Sequence, residues 1–343
     1  MHLPDRGRSR ATATSEAASA RPGTLDDGNG SGMRSKEDLQ AAIRGPRRRA
    51  ALVVNTRSRR GRRLFAASRR LLAEAGQSFD EVHPVGDPAR LPDVLRDVLT
   101  RDPDLVVVGG GDGTIAEAVS HLARRDAVLG VLPLGTTNNF ARSLELPVTL
   151  RGAVQVLRDG KVADVDVGHV AGRVFANMVS VGLSVDIAER VPHGLKRVVG
   201  RAAYGLTGAY RMLYHQPFRA IVEVDGKTYE TVTHQLNIAN GSHHSGRRFA
   251  GDASPDDRLL NVYRLGDRSR LRLTADMLAH LLSGPRRRLA DDMFLNTSSE
   301  VRVITDPPLR IDVDGEIGAL TPVTVGLLPN ALKVLVPRSF VDR

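Results

Sequence analysis

Asp112 is the side chain most in need of a chemical explanation. It stands in Gly109-Gly-Gly-Asp-Gly-Thr114, between the apolar run Leu105 to Val108 and a segment apolar at Ile115, Ala118, Val119 and Leu122. The first run is mostly β-branched and bounded by Pro103 and glycines, so it reads as a buried parallel strand. The second has helical spacing. A glycine-rich turn from strand to helix offers bare backbone N–H groups to an anion and lets it come close, which suits phosphate. A carboxylate among phosphates implies a cation beside them or a proton to be moved. Asp112 therefore points to phosphate chemistry beyond mere binding. The competing reading is an ordinary strand-to-helix turn with Asp112 or Thr114 as its cap. Two familiar nucleotide motifs are excluded. Gly109-x-Gly111 lacks the third glycine of the dinucleotide fingerprint, and Gly226-Lys-Thr228 has Ile221 where a Walker loop needs glycine.

Two acidic constellations could also do chemistry. Gly251-Asp-Ala-Ser-Pro-Asp-Asp-Arg-Leu-Leu260 packs three carboxylates into one turn. Such oxygens suit Mg²⁺ or Ca²⁺, and they equally suit a solvated turn with Asp at favoured positions. Asp312-Val-Asp-Gly-Glu316 alternates so that Asp312 and Asp314 share a face, while Gly315 lets Glu316 aim elsewhere. By itself this stretch is a hairpin-turn Asp-Gly.

These residues need elements to position them. Ala50 to Asn55 reads as a strand, followed by the polar turn Asn55-Thr-Arg-Ser-Arg-Arg-Gly61 and a helix through Leu64, Phe65, Leu71 and Leu72. Phe79 to Val82 (strand), Leu91 to Leu99 (helix) and Val128 to Pro133 (strand) continue the alternation, and Leu134-Gly-Thr-Thr-Asn-Asn-Phe-Ala-Arg-Ser143 follows. Repeated β–α units imply an α/β, doubly wound parallel sheet with three polar loops facing one crevice at the strand C-termini. After a short helix from Ala153 to Leu157, strands dominate: Lys161 to Gly168, Val174 to Val181, Ala220 to Val224, Thr231 to Ala239, Leu259 to Leu265, Val301 to Ile304, Leu309 to Val313 and Val323 to Leu328. Their alternation predicts an antiparallel β-sandwich. Residues 1 to 46 have almost no large apolar side chains and are expected to be disordered. The expected division is 1–49 as an N-terminal extension, 50–150 as an α/β nucleotide-binding domain and 151–337 as a β-sandwich domain with inserted helices.

At 343 residues, 41% hydrophobic and 26% charged, the chain can build two cores. It has no cysteine, which removes disulfides and thiolate chemistry and fits a reducing, cytoplasmic setting. No apolar run reaches membrane-spanning length. The net charge of +10 would suit nucleic acid, anionic lipid or a nucleotide. Tryptophan is absent and aromatics are 4%, which disfavours base stacking and so nucleic acid. The stretch Val185 to Leu213 is basic with an apolar face, suited to peripheral contact with an anionic membrane or to packing on the sandwich. Leu271 to Leu282, ahead of Pro285-Arg-Arg-Arg288, reads as a second helix.

Taken together, Asn55-Thr-Arg-Ser-Arg59, Gly110-Gly-Asp-Gly-Thr114, Leu134-Gly-Thr-Thr-Asn138 and Asp314-Gly-Glu316 stand in the order of the motifs of the diacylglycerol kinase and sphingosine kinase catalytic superfamily. The chain resembles its bacterial soluble lipid-kinase branch from about Ala50 to Pro337, and Ala253-Ser-Pro-Asp-Asp-Arg-Leu259 is similar to that family's structural-magnesium loop. The resemblance implies ATP-dependent, Mg²⁺-assisted phosphorylation of a lipid hydroxyl in an inter-domain cleft, a part in phospholipid metabolism, and leaves room for a homodimer. It would place Asn55, Thr56, Arg57, Ser58 and Arg59, Gly110, Gly111, Asp112, Gly113 and Thr114, and Gly135, Thr136 and Asn138 at the nucleotide. Asp112 would organise the Mg²⁺–phosphate end, and Glu316 with Asp314 beside it would accept the lipid hydroxyl's proton. A structural Mg²⁺ would take the Asp257 side chain and the Ser254 and Leu259 carbonyls.

The chain departs from the family pattern in places. Thr56 and Arg59 replace a proline and a glycine, Asn139 replaces a frequent Asp, and Arg258 replaces a glycine whose backbone, if left-handed, an arginine would strain. Two rivals remain. One is an NAD kinase-like small-molecule kinase, which shares a Gly-Gly-Asp-Gly turn. The other is a non-catalytic nucleotide- or membrane-binding protein.

Overall fold

The computed structural model describes residues 34–190, 214–244, 247–248, 254–266, 269 and 294–343. In order, the first half holds α1 (Lys36–Arg44), β1 (Ala50–Asn55), α2 (Arg59–Glu74), β2 (Glu81–Val85), α3 (Leu91–Leu99), β3 (Leu105–Gly110), α4 (Asp112–Leu122), β4 (Val128–Pro133), α5 (Asn139–Ser143) and α6 (Leu150–Asp159). The second half holds β5 (Lys161–Val170), β6 (Arg173–Phe175), β7 (Met178–Gly182), α7 (Leu183–Arg190), β8 (Phe218–Val224), β9 (Lys227–Thr233), β10 (Gln235–Ala239), β11 (His243–His244), β12 (Arg247–Arg248) and β13 (Leu260–Leu265). It closes with β14 (Phe294–Thr297), β15 (Val301–Asp306), β16 (Arg310–Val313), β17 (Glu316–Leu320) and β18 (Val323–Val336).

The β-branched runs of β1 and β3 are buried along their length, and β1, β2, β3 and β4 pair in parallel. Helices cover both faces, giving two apolar layers: one around Leu95, Val119 and Phe140, the other around Leu39, Leu72 and Leu157. The sheet does not stop there. Its order is β2-β1-β3-β4-β18-β15-β8-β9, with β5 and β6 branching from β18, so the last strand of the chain lies between the parallel strands and an antiparallel wing. Val334 of β18 runs parallel beside Leu129, while β5 and β15 flank β18 antiparallel. The expected strand 323–328 is thus only the start of β18. Pro329, which cannot donate to a ladder, coincides with the register shift between Leu328 and Leu332. A second sheet, β14-β13-β10-β7-β16-β17, packs on the antiparallel wing through Phe175, Val181, Leu236, Val262, Val303 and Ile311, which makes the sandwich.

Two expected strands are broken. Val174 to Val181 divides into β6 and β7, and Thr231 to Ala239 into β9 and β10, with the halves in different sheets. Alternation of polarity is the same on either side of each break, so it carried no sign of the change of sheet. The expected disorder up to residue 46 is corrected for its last part. Ser35 caps α1, whose Leu39 and Ile43 are buried against the parallel sheet. Arg34 bonds Asp104 at 2.9 Å, and Lys36 pairs with Asp342. Two leucine-class side chains on one short helix were too few to register as a pattern against the polar residues around them. Residues 1–33, 191–213 and 271–293, which include most of the basic stretch and the second expected helix, lie outside the described residues.

Candidate functional site

The C-terminal ends of β1, β3 and β4 bring three loops together. In the first, Asn55 Nδ2 donates to Thr114 Oγ1 at 3.1 Å and Asn55 Oδ1 accepts the Arg57 N–H at 3.1 Å. Thr56 is buried and its N–H reaches the Val85 carbonyl at 2.8 Å. Ser58 Oγ caps α2 by accepting the Gly61 N–H at 2.9 Å. Arg57 is exposed; Arg59 opens α2, with its side chain outside the described residues.

In the second loop Gly111 is the N-cap residue of α4, so Asp112, Gly113 and Thr114 form the helix's first turn, where N–H groups lack intrahelical partners. Gly110 packs against the Thr114 side chain, which would lie 2.4 Å from an added Cβ. The third loop crosses the second at its backbone. A Cβ on Gly135 would fall 2.5 Å from Gly111 Cα. Asn138 adopts a left-handed conformation, φ 49, and its amide bonds Gly135 at both N–H and carbonyl. Asn is among the few residues that tolerate this conformation.

Asp112 joins these two loops. Its Oδ2 accepts the Asn138 N–H at 3.0 Å and the Thr137 hydroxyl, and its Oδ1 accepts the Asn139 N–H at 2.5 Å. Its negative charge lies at the N-terminal ends of both α4 and α5, where helix dipoles favour it. Thr137, adjacent to the expected Thr136, makes the contact; Thr136 itself is exposed. Nothing in the spacing of Leu134-Gly-Thr-Thr-Asn138 distinguishes the two threonines.

The Asp314-Gly-Glu316 turn is built on the crossover between β6 and β7. Asp314 accepts N–H groups from Ala176 at 2.6 Å, Asn177 at 3.0 Å and Met178 at 3.0 Å. Burial raises its pKa to about 6 against the pull of those donors. Asp314 and Gly315 both have positive φ, the hairpin-turn geometry that Asp-Gly favours. Burial also raises the Asp312 pKa, and Asp312 Oδ1 accepts the Gly315 N–H at 2.6 Å. Glu316 is exposed and ion-paired with Arg173 of β6. No motif singled out Arg173. β6 lies on α4, where Ser120 Oγ donates to the Val174 carbonyl at 3.2 Å. Ser120 is about 12 Å of helix from Asp112. The Glu316 pair is therefore tied to the flank of the helix that Asp112 begins.

At the third expected site Asp257 spans its own loop, with Oδ2 accepting the Ser254 N–H at 2.9 Å and Oδ1 the Leu259 N–H at 3.0 Å. Arg258 has φ 57, so the position where the family pattern has glycine is indeed left-handed here. Such a residue costs roughly 1–2 kcal/mol, and the Arg258 N–H bond to Asp166 Oδ2 at 2.8 Å helps to hold it. Asp166, which sequence reasoning passed over, is fully buried and also accepts the Asn330 N–H at 2.9 Å. Asp256 is fully buried; desolvation, with the Asp342 and Asp166 charges adding, raises its pKa to about 7. Its Oδ1 has no hydrogen-bond partner. A buried carboxyl with one unpartnered oxygen, near the Asp166 and Asp342 charges, fits a divalent cation. Among the described residues no three His, Asp or Glu side chains form a metal cage, so any cation here would depend on backbone carbonyls.

Residues 49–170 match the model of the diacylglycerol kinase catalytic domain, and residues 177–336 match the YegS C-terminal NAD kinase beta sandwich-like domain. A Staphylococcus haemolyticus (strain JCSC1435) protein named "Putative lipid kinase SH2167" is 31% identical over 237 residues, 68% of this chain and 77% of its own. The chain belongs to the diacylglycerol kinase catalytic-domain family. A Staphylococcus aureus (strain JH9) relative of this kinase, "Putative lipid kinase SaurJH9_0749", is 29% identical over 238 residues, 68% of this chain and 78% of its own. The fold is shared with the crystal structure of a diacylglycerol kinase from Bacillus anthracis str. Sterne, at TM-score 0.67 and 22% identity over 85% of this chain and 98% of that one. Family membership makes this chain a kinase, a phosphotransferase. Among the described residues no helix is long and apolar enough to cross a membrane.

Proposed function

We propose that this kinase transfers the γ-phosphate of ATP to the hydroxyl of a diacylglycerol-like lipid. Gly113 carries the nucleotide half of the reading. It is exposed in the first turn of α4, where alanine is the better helix former, and an added Cβ would have nothing within 4 Å. The protein's own packing gives no reason for glycine there. A phosphate resting on the first-turn N–H groups does. Support for the lipid half is the naming of the staphylococcal relatives and of the Bacillus anthracis protein.

In this reading the N–H groups from Gly111 to Thr114 and the backbone from Gly135 to Asn138 cradle the phosphates, with Asn55, Thr56 and Arg57 on the flank. Asp112 holds the two glycine loops together; a carboxylate has about four lone-pair sites, and three donors leave it room for a further contact. Glu316 takes the proton as the lipid oxygen bonds to the γ-phosphorus and the bond to the ADP oxygen breaks. Arg173 places a cation beside it, and Asp314 fixes the turn to the crossover. Mg²⁺ at the phosphates would neutralise charge that develops during transfer. A structural Mg²⁺ would rest on the Asp257 carboxylate and the Ser254 and Leu259 carbonyls. Reaching the lipid requires peripheral contact with a membrane from the cytoplasmic side, to which the basic 185–213 stretch is suited.

Purified full-length chain with labelled ATP, Mg²⁺ and dispersed diacylglycerol tests this. The expected result is phosphorylated lipid, with kcat in Glu316→Gln lower by about 10²–10⁴-fold and ATP affinity unchanged. Phosphorylation of NAD in place of lipid, or a fully active Glu316→Gln, refutes it.

A further inference from the structure

The smaller sheet has two unlike faces. Val179, Val181, Leu236, Ile238, Val262 and Ile311 point into the core between the sheets. The opposite face is polar at its centre. Strand register sets Asp312, Ser180, Asn237 and Tyr263 side by side in one row, and Met178, Ala239 and Asn261 in the next. Ser180, Gln235, Asn237 and Asn261 are each no more than 5% exposed.

Hydrogen bonds fix which way the Gln235 and Asn237 amides of this patch point. The Ser184 backbone N–H donates to Gln235 Oε1 at 2.8 Å, so the other end of that amide must be Nε2. Gln235 Nε2 donates to Asn237 Oδ1 at 2.8 Å, and Ser180 Oγ donates to the same oxygen at 2.9 Å. Asn237 therefore turns its Nδ2 outward from the cluster, and that nitrogen is buried without a partner. Asn261 Nδ2 is likewise buried and unpartnered. Buried donors are rarely left unmade in native proteins. The two asparagines are diagonal neighbours across β10 and β13, about 7 Å apart, and Ala239, directly opposite Asn261, adds only a methyl group. Met178, Ala239 and Tyr263, with Leu265 against them, form a small apolar cluster at the same place, separate from the main cores. Asp312, at the end of the row, begins the turn that carries Glu316.

We propose that this patch is the head-group subsite for the acceptor: Asn237 and Asn261 donate to two acceptor oxygens of the substrate, as the ester carbonyls of a diacylglycerol provide. The acyl chains then start on the Met178 cluster, and the reacting hydroxyl points along the row toward Asp312 and Glu316. This rests on the kinase reading for the identity of the reaction, but the selectivity follows from the donors alone. Two N–H groups in search of acceptors favour an ester and disfavour an ammonium-bearing amino alcohol, which brings donors of its own.

The test is equilibrium binding, by calorimetry without ATP, of dioctanoylglycerol, of its dioctyl ether analogue lacking both carbonyls, and of a long-chain amino alcohol. The full-length chain should bind the ester at least tenfold tighter than the other two. Asn261→Leu, close to asparagine in shape, should remove that preference while its thermal midpoint stays level or rises. Asn261→Ala gives the same readout should leucine disturb packing. Equal affinity of the wild type for ester and ether, or an undiminished ester preference in both variants, overturns the inference. Turnover is judged apart from this: selective ester binding lost on changing Asn261, with no phosphorylation of the ester, keeps the subsite and overturns the reading of the ester as the phosphate acceptor.

Discussion

Gly113→Ala separates the protein's own needs from those of its ligand. The residue lies in the first turn of α4, has ordinary helical backbone, and an added methyl group meets nothing within 4 Å. Replacing glycine by alanine inside a helix stabilises by up to about 1 kcal/mol, since the unfolded chain has less freedom to lose. The first turn is only partly helical in its constraints, so about 0.5 kcal/mol is expected. For a chain this long that is a rise of roughly 1–2 °C in the thermal midpoint. The same methyl group would stand where phosphate oxygens must approach the Asp112, Gly113 and Thr114 N–H groups. Loss of even one charge-assisted hydrogen bond, about 1.5–3 kcal/mol, weakens nucleotide binding by roughly ten- to a hundredfold. The assay pairs scanning calorimetry of the nucleotide-free protein with titration of a non-hydrolysable ATP analogue. A variant that is as stable as the wild type or more so, and binds nucleotide tenfold more weakly or worse, supports the cradle. Unchanged nucleotide affinity refutes the argument, because the open space over Gly113 would then be plain solvent.

Gly135→Ala should act in the opposite sense on stability. Its Cβ would meet Gly111 Cα at 2.5 Å and Asn138 Oδ1 at 2.8 Å, so the loops must part at a cost of about 1–3 kcal/mol, seen as a lower urea midpoint together with weaker nucleotide binding. Asp256→Asn probes the buried charge. The folded carboxyl titrates at about 7 and the unfolded one at about 3.9. A raised carboxyl pKa favours the fold below the unfolded value, and that contribution disappears as pH rises through 7. Wild type should therefore lose up to about 4 kcal/mol between pH 4 and pH 8 from this group. The amide of the Asp256→Asn variant keeps an acceptor for the Arg343 N–H without the charge. With a chelator present, the variant's advantage in urea unfolding should be near zero at pH 4 and about 2–4 kcal/mol at pH 8; a pH-independent difference contradicts the buried-charge account.

The elements that hold the nucleotide loops were legible because local chemistry and global position coincide there. A β-branched run that ends in glycines can be little other than a buried strand meeting a helix, and Asp112, Asn55 and Asn138 stand where those strands end. Asp314-Gly315 was legible as a turn for the same local reason. By contrast, the role of Asp314 as an anchor for Ala176 to Met178, the pairing of Glu316 with Arg173, and the docking of Arg258 on Asp166 join residues far apart in the chain. No spacing records such contacts, because they are set by which strands become neighbours.

Sequence by itself determined the α/β alternation, the phosphate-suited glycine turns and the family. Its pattern of local preferences is read within one turn or one strand, and each of those features is that short. Only the tertiary structure decided that β18 joins the parallel sheet to the antiparallel wing, that two apparently continuous strands switch sheets, and that Asn237 and Asn261 turn unpaired donors onto one buried face. Those outcomes depend on strand order and register, which a period of two repeated along many similar strands leaves open.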